Sequence, residues 1–434
     1  MGKRIPWVAL LLVAALLAGC GDTSTTSKDG ASTNGAGNTN TATADTGSNQ
    51  CGGLSSAAPT DPQGALKGLP ATITSAYSHY QPELTKGAYA NFKPKNSRPW
   101  TIGYSDSFSG NAWRAAALSR LKADVAAYKK AGIVKGLVYT DSNLDNSRQI
   151  QQMRSMIQQK VDIILSIPGS PTAMNGVIKE AYDAGIPVIT LLAPVTSRYA
   201  VNVDVNQFLL GARMAQGLVK VMHEKGSVLT VDGLAGSPGS KIIHDGGYAI
   251  FKKCPNIKIA GNFNGDWNNA TAKTNMLKFL ATHPQKVEGV WEQGSMALGL
   301  IQALQQSNRP LVTVTDGNPD KASLAVWREH KADGYQGIAT ANVPESGMDT
   351  MFRVGIRMLQ GQGLKINAIV KNPPLIEGDG LNDWVQSSWT EQTPGVADAP
   401  PGTWLNDAYL DKVFTHPKAT SPKTLGSCPC EGIG

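Results

Sequence analysis

The chain has 434 residues, with 40 basic against 33 acidic side chains, a formal net charge of +7, 41% hydrophobic residues and 6% aromatic ones. That length allows two domains of ordinary size, each with a generous core. The basic residues are scattered among acids with no Lys/Arg run, which excludes a nucleic-acid footprint.

The first predicted element is an export signal. Lys3 and Arg4 precede an uncharged apolar run over 8–17, as in a secretory signal, and the run is too short to span a bilayer comfortably. It ends in Leu17-Ala18-Gly19-Cys20, which resembles the lipobox of bacterial lipoproteins. The resemblance implies a lipoprotein signal over 1–20, with Cys20 as the lipidation site holding the protein at the outer face of the cytoplasmic membrane. The competing reading is an ordinary cleaved signal with a chance cysteine. Residues 21–50 are almost wholly Gly, Ser, Thr, Asn, Ala and Asp. They cannot bury enough apolar surface to offset their ordering entropy, so they are expected to be a flexible tether with an r.m.s. span of about 30 Å.

After Pro99 the chain alternates in type. Extended apolar runs fall at 101–104, 136–139, 161–167 and 186–192, separated by helical patterns. Asn111 or Ser109, then Asp145, then Ser170 with Pro171 are the expected helix starts, and Gly132 and Gly185 the stops. A second series has strands near 227–231, 257–263, 287–291, 311–315 and 336–341. Strands bounded by helices at this spacing predict βαβ units, and so two α/β domains with parallel sheets. Ligands in such sheets sit beyond the carboxyl ends of the strands. Ser105, Asp106, Ser107, Ser109, Asn111, Trp113 and Arg114 all follow the first strand at once, and five polar residues exceed what one helix cap needs.

With these residues in place, the stretch of about 100–374 resembles the periplasmic sugar-binding proteins of the ribose and galactose type, closest to the galactofuranose-type branch. "IGYSDSFSGNAWRAA" has that branch's aromatic-Ser start and Trp-Arg-Ala-Ala finish. "GIPVITL", "GLAG", "NFNGDWNNATA", "MALGLIQAL" and "TDGNPD" follow in the family's order. The resemblance implies a type I periplasmic binding fold of two Rossmann-like lobes on a three-segment hinge. The N-terminal lobe would be 100–225 plus 343–369 and the C-terminal lobe 226–342 plus 370–376, with crossings near Lys225, Val343 and Val370. It further implies a monomer that catalyses nothing, needs no cofactor or metal, and delivers a small sugar-like ligand to an ABC transporter permease.

Carried over by position, Ser105 matches a ligand-contacting serine, and Trp113 and Trp267 match the two aromatics that sandwich a sugar ring. Asp316 matches an acid that accepts sugar hydroxyl protons, and Asn342 matches a hinge-strand amide. Asp106, Asn111 and Arg114 belong to the same first loop, while His244 and Gln293 fall where the family places further ligand partners. One departure stands out: the family's Asp-Arg after the fourth strand is Leu192-Ala193 here, so a less hydroxylated or differently shaped ligand is expected.

The flanking pieces 51–99 and 377–434 have no counterpart in the resemblance. With Cys20 assigned, Cys51, Cys254, Cys428 and Cys430 remain in an exported chain, and disulfides are the natural reading. The favoured pairing joins each member of Cys428-Pro429-Cys430 to Cys51 or Cys254, in a cap where the two termini pack together. A four-thiolate zinc site would need a wider Cys spacing.

Other functions fit less well. "GYSDS" from Gly103 approaches a hydrolase nucleophile elbow, but Ser107 stands where glycine is required, and no His-Glu-x-x-His occurs. Asp106, Asp266 and Asp316 would make a glycosidase only if two of them met across the cleft. "GLAGSPGSK" lacks the Gly-Lys-Ser/Thr order of a phosphate loop and reads as a tight turn at the cleft edge. A partner of a membrane chemosensory receptor would look the same as a transport protein in sequence.

Overall fold

The computed structural model describes residues 50–400 and 404–418. The predicted signal and tether, Cys20, Cys428 and Cys430 lie outside these residues. After the short helix α1 (Ala71–Thr74), the first lobe runs β1 (Trp100–Asp106), α2 (Ala112–Lys130), β2 (Val134–Asp141), α3 (Asn146–Gln158), β3 (Ile163–Ile167), α4 (Asn175–Asp183), β4 (Val188–Leu191) and β5 (Ala200–Val205). Then come α5 (Gln207–Val221), β6 (Gly226–Asp232), α6 (Pro238–Phe251), β7 (Ile257–Asn264), α7 (Asn269–Thr282), β8 (Gly289–Glu292), α8 (Ala297–Gln306), β9 (Thr313–Asp316), α9 (Lys321–His330) and β10 (Ile338–Thr340). The chain closes with α10 (Pro344–Leu359), β11 (Ala368–Lys371), β12 (Leu375–Ile376) and α11 (Asp407–Val413).

The strands form two six-stranded sheets, in the orders β11-β5-β4-β3-β1-β2 and β12-β10-β9-β8-β6-β7. Every pairing is parallel except that of β12 with β10. Strands such as β3, β4 and β5 are buried along their whole length, as expected where helices cover both faces.

Several expected caps form. Asn111 accepts from the Arg114 amide at 2.9 Å, and Asp145 from that of Arg148 at 3.0 Å. Ser170 does not start α4. Its hydroxyl takes the Ala173 amide at 3.1 Å and opens a turn over 171–174, and the helix begins only at Asn175.

The chain crosses between the lobes three times. It passes at Asn206, between β5 and α5, again over 341–343 between β10 and α10, and over 372–374 between β11 and β12. The last two fall near the expected Val343 and Val370, but the first does not fall near Lys225. Helix α5 follows a first-lobe strand yet packs on α6 and on β8, β9 and β10 of the second lobe. Glycines permit it: a Cβ on Gly211 would lie 2.0 Å from the Ile243 carbonyl oxygen, and one on Gly246 2.0 Å from that of Phe208. The two helices therefore meet backbone to backbone.

The extensions are folded onto this frame. The N-terminal one starts on the second lobe, where Cys51 is disulfide-bonded to Cys254 and Gln216 donates to the Gly52 carbonyl at 2.6 Å. The favoured pairing of Cys51 and Cys254 with Cys428 and Cys430 is thereby overturned, because the two cysteines expected to reach the C-terminus reach each other. The extension then passes to the first lobe. Asn206, at the first crossing, donates to the Ala76 and Ser78 carbonyls at 2.9 and 2.7 Å, and Tyr77 donates to that of Ala368 at 2.8 Å.

The C-terminal extension makes the same passage. Val396 bridges to Asp320 on the second lobe, Asp398 accepts from Ser346 of α10 at 2.7 Å, and Leu405 accepts from Arg353 of α10 at 2.7 Å. The two extensions flank the run into β11, through the bridges Lys86 to Ile366 and Phe414 to Leu364.

Several carboxyls end up buried without a close cation. Burial pushes Asp204, beside the first crossing, up to about 8, and Asp398 up to about 6. Such groups hold protons in the native state that the unfolded chain releases above the ordinary carboxyl range. Their contribution to stability is complete below that range and is lost as pH rises through the raised values. The carboxyls held low are Glu180 and Asp379, which are exposed, and Glu288, which is half-buried under the Ser227 amide, and all three act only at more acid pH. The melting temperature is therefore expected to fall by several degrees between pH 5.5 and pH 8.5. Calorimetry at constant ionic strength checks this, and a rising or flat profile would contradict the burial of these groups.

Candidate functional site

A cavity of about 280 Å³ opens at the carboxyl ends of the strands, with walls from both lobes and from the first two crossings. That size is near the lower end for small-molecule sites. From the first lobe come the turn after β1 and the start of α2. Trp113 is buried, and its indole Nε1 donates to the Asn342 carbonyl at the second crossing. Arg114 forms an ion pair with Asp106.

From the second lobe come the loop 234–239 and Trp267, which stands at a left-handed position, φ 50°, between β7 and α7. A Cβ on Gly233 would lie 2.2 Å from the Trp267 ring, so glycine is what lets the indole lie against that loop. Between the lobes, Gln207 and Asn342 bond each other through their amides at 3.3 and 3.4 Å, and the Asn342 backbone amide donates to Asn318 Oδ1 at 3.1 Å.

Five of the ten residues expected from sequence lie on this wall: Asn111, Trp113, Arg114, Trp267 and Asn342. Four of the other five, Ser105, Asp106, Gln293 and Asp316, are buried behind it, and His244, 32% exposed, lies off the wall. Ser105 is fully buried beside Gln149, with its carbonyl accepting from Ser166 at 2.9 Å. Asp106 accepts from Tyr104 at 2.8 Å, from the Phe108 amide at 3.2 Å, and from Arg114. His244 sits 3.0 Å from Asp232 and stacks on Tyr248 at 3.9 Å. Gln293 accepts from the Gly233 amide at 2.9 Å and from Ser240 at 2.8 Å, and donates to Asp232 at 2.6 Å. It braces the cavity loop from behind.

Asp316 accepts from the Asn318 amide at 3.1 Å and from Ser323 at 2.7 Å. It is a turn aspartate ahead of Gly317. Burial raises its carboxyl, and Asp320 raises it further; burial and the Asp316 charge together hold Glu292 well above the usual range.

Ser107, named in the polar cluster after the first strand but not among the matched ligand partners, lines the cavity, as do Phe108, Gln207 and Asn318, which the sequence did not single out. Ser107 and Phe108 lie in the quoted first loop and Asn318 in the quoted "TDGNPD", so motif position could have found them. Gln207 had no signal, because its place depends on where the chain crosses. Leu192 and Ala193 do line the cavity, as does the loop predicted to be a turn at the cleft edge.

Two α/β lobes joined by three crossings, with a partly enclosed cavity between the strand ends, define a bilobal solute-binding architecture. The family model described as the periplasmic binding protein domain matches residues 102–363. The galactofuranose-binding protein of Escherichia coli is 31% identical over 237 residues, 51% of this chain and 72% of that protein. The xylitol-binding protein of Mycolicibacterium smegmatis is 29% identical over 198 residues, 44% of this chain and 56% of that protein.

Among solved structures, an ABC transporter solute binding protein from Thermobispora bispora aligns with a TM-score of 0.62 at 23% identity, covering 68% of this chain and 91% of that one. A galactofuranose binding protein aligns at 0.58 and 24% identity, covering 65% and 96%. These two share the fold. The chain belongs to the periplasmic binding protein family, whose members work outside the cytoplasm.

Proposed function

We propose that this is a solute-binding lipoprotein that captures one small, sugar-like molecule between its lobes and passes it to an ABC transporter permease. One observation carries the reading: Trp113 from one lobe and Trp267 from the other line a single cavity together with the amides of Asn111, Gln207, Asn318 and Asn342. Aromatic rings cover the apolar faces of a ring-shaped guest, and amides replace the water that its polar groups lose. The named ligands of the relatives, galactofuranose, xylitol and ribose, are of this size and kind. Leu192 and Ala193 on the wall favour a guest with fewer hydroxyls than those.

A hydrolytic role has less support, because Asp106 and Asp316 lie behind the wall with their oxygens engaged by the protein. In this reading Cys20 carries the lipid anchor and 21–50 forms the tether.

Native mass spectrometry of the purified protein, followed by a thermal-shift screen of pentoses, furanoses, polyols and small aromatic acids, tests the proposal. A ligand at a hundred times its dissociation constant adds about 2.7 kcal/mol of stability. A co-purified small molecule or one clear shift is expected. The absence of both would remove the reading.

A further inference from the structure

The hydrogen-bonding groups on the cavity wall are unevenly used. Asn111 Oδ1 accepts the Arg114 amide and Asn318 Oδ1 the Asn342 amide. Because a backbone N–H fixes each of these oxygens, each Nδ2 is left as the outward group, a donor. Among the described residues neither Nδ2 has a partner, and neither do Trp267 Nε1 or Arg114 Nε and Nη2. The remaining side-chain amides, Gln207 and Asn342, pair with each other.

Charge is uneven in the same sense. Arg114 is the one charged side chain among the described residues on the wall, and its partner Asp106 lies behind, 1% exposed. The first turn of α6, at Ser237 to Gly239, also faces the cavity, and Ser237 makes no side-chain cap to its amides. Its partial positive charge adds to the field of Arg114. A hydroxyl-rich neutral sugar brings a proton with every hydroxyl and needs acceptors, which sugar sites commonly supply as carboxylates. Among the described residues this wall supplies unspent amide and indole donors, one guanidinium and the Ser107 and Ser237 hydroxyls, but no carboxylate.

We infer that the ligand carries a carboxylate, placed against Arg114 and the free amide and indole donors, and is a sugar acid or a comparable ring-bearing hydroxy acid. The inference rests on the reading of this cavity as the solute site and narrows its ligand class. Leu192 and Ala193, where the family pair would supply an Asp acceptor together with an Arg, leave the wall without that carboxylate and with Arg114 as its cation.

The test is a set of matched pairs, D-galacturonate with D-galactose, D-glucuronate with D-glucose and D-ribonate with D-ribose, measured on the intact disulfide-bonded protein by thermal shift and titration calorimetry. At least one acid is expected to bind at least tenfold tighter than its neutral partner, and more weakly as salt rises. Asn318→Asp keeps the oxygen that receives the Asn342 amide but turns the free donor into a carboxylate. It should cost the acid tenfold or more while leaving the fold intact by circular dichroism.

Arg114→Gln should do the same, since the buried Asp106 left behind can take a proton. Neutral sugars binding as tightly as their acids, or no acid binding at all, overturns the inference. In the first case the solute-binding proposal stands. Only silence from every compound, together with an empty native mass spectrum, would take that with it.

Discussion

Trp113→Ala and Trp267→Ala are each expected to abolish the ligand-induced rise in melting temperature, a loss of at least a hundredfold in affinity or about 2.7 kcal/mol. The two variants should differ otherwise. Trp113 is 5% exposed and belongs to the first-lobe core, so truncation also costs the free protein about 3–5 kcal/mol. Trp267 is half-buried against the loop at Gly233 and should cost less. Binding by Trp113→Ala must therefore be measured well below its own melting temperature.

Trp113→Phe separates the ring from its N–H. It keeps an aromatic face but leaves the Asn342 carbonyl without its donor, at a cost of about 1–3 kcal/mol for the unpaired group. Partial retention of binding in Phe with complete loss in Ala would assign the affinity to the ring. Binding by both alanine variants at the parent's strength would mean that the ligand sits elsewhere.

Loss of the Cys51–Cys254 bridge is expected to have a comparable effect on stability. The two cysteines are 203 residues apart in sequence, and loop-entropy reasoning gives about 5 kcal/mol for closing a loop of that order. At about 2–4 °C per kcal/mol for domains of this size, the double variant Cys51→Ser with Cys254→Ser should melt about 10 °C or more below the parent. The rest of the extension should stay in place, held by the Asn206 and Tyr77 hydrogen bonds and by that of the Tyr89 hydroxyl to the Tyr199 carbonyl at 2.7 Å. Non-reducing peptide maps and calorimetry check both points, and a melting temperature unchanged by the double substitution would show that the bridge contributes little.

The sequence and the structure agree best where a short stretch of chain decides the outcome. Strand runs such as 101–104 and 257–263 lie within β1 and β7, because a continuous apolar run between turn signals has few ways to be buried. Strands β5 and β12 were not anticipated, and β11 was anticipated only as a crossing, near Val370. Ala200-Val-Asn-Val-Asp-Val has three polar or small positions that become buried only because β4 and β11 pair on either side of it.

The site divides in the same way. Asn111, Trp113 and Arg114 follow a strand end directly, so their place was set by the neighbouring dozen residues. Ser105, Asp106, Gln293 and Asp316 have the chemistry of ligand partners, and each is drawn inward by a partner distant in sequence or by its own turn, while His244 is held off the wall by Asp232 and Tyr248. Gln293, for example, is held by Gly233, Ser240 and Asp232.

Taken by itself, the sequence determined the alternation of strands and helices, the two-lobed parallel architecture and the two tryptophans at strand ends. Those follow from periodicity and capping, which are local. The tertiary structure decided that α5 joins the second lobe, that Cys51 pairs with Cys254, and which polar side chains face the cavity and which face the protein. Those outcomes depend on close approach between segments tens to hundreds of residues apart, where a missing Cβ at Gly211 or Gly246 or one buried hydrogen bond selects the arrangement.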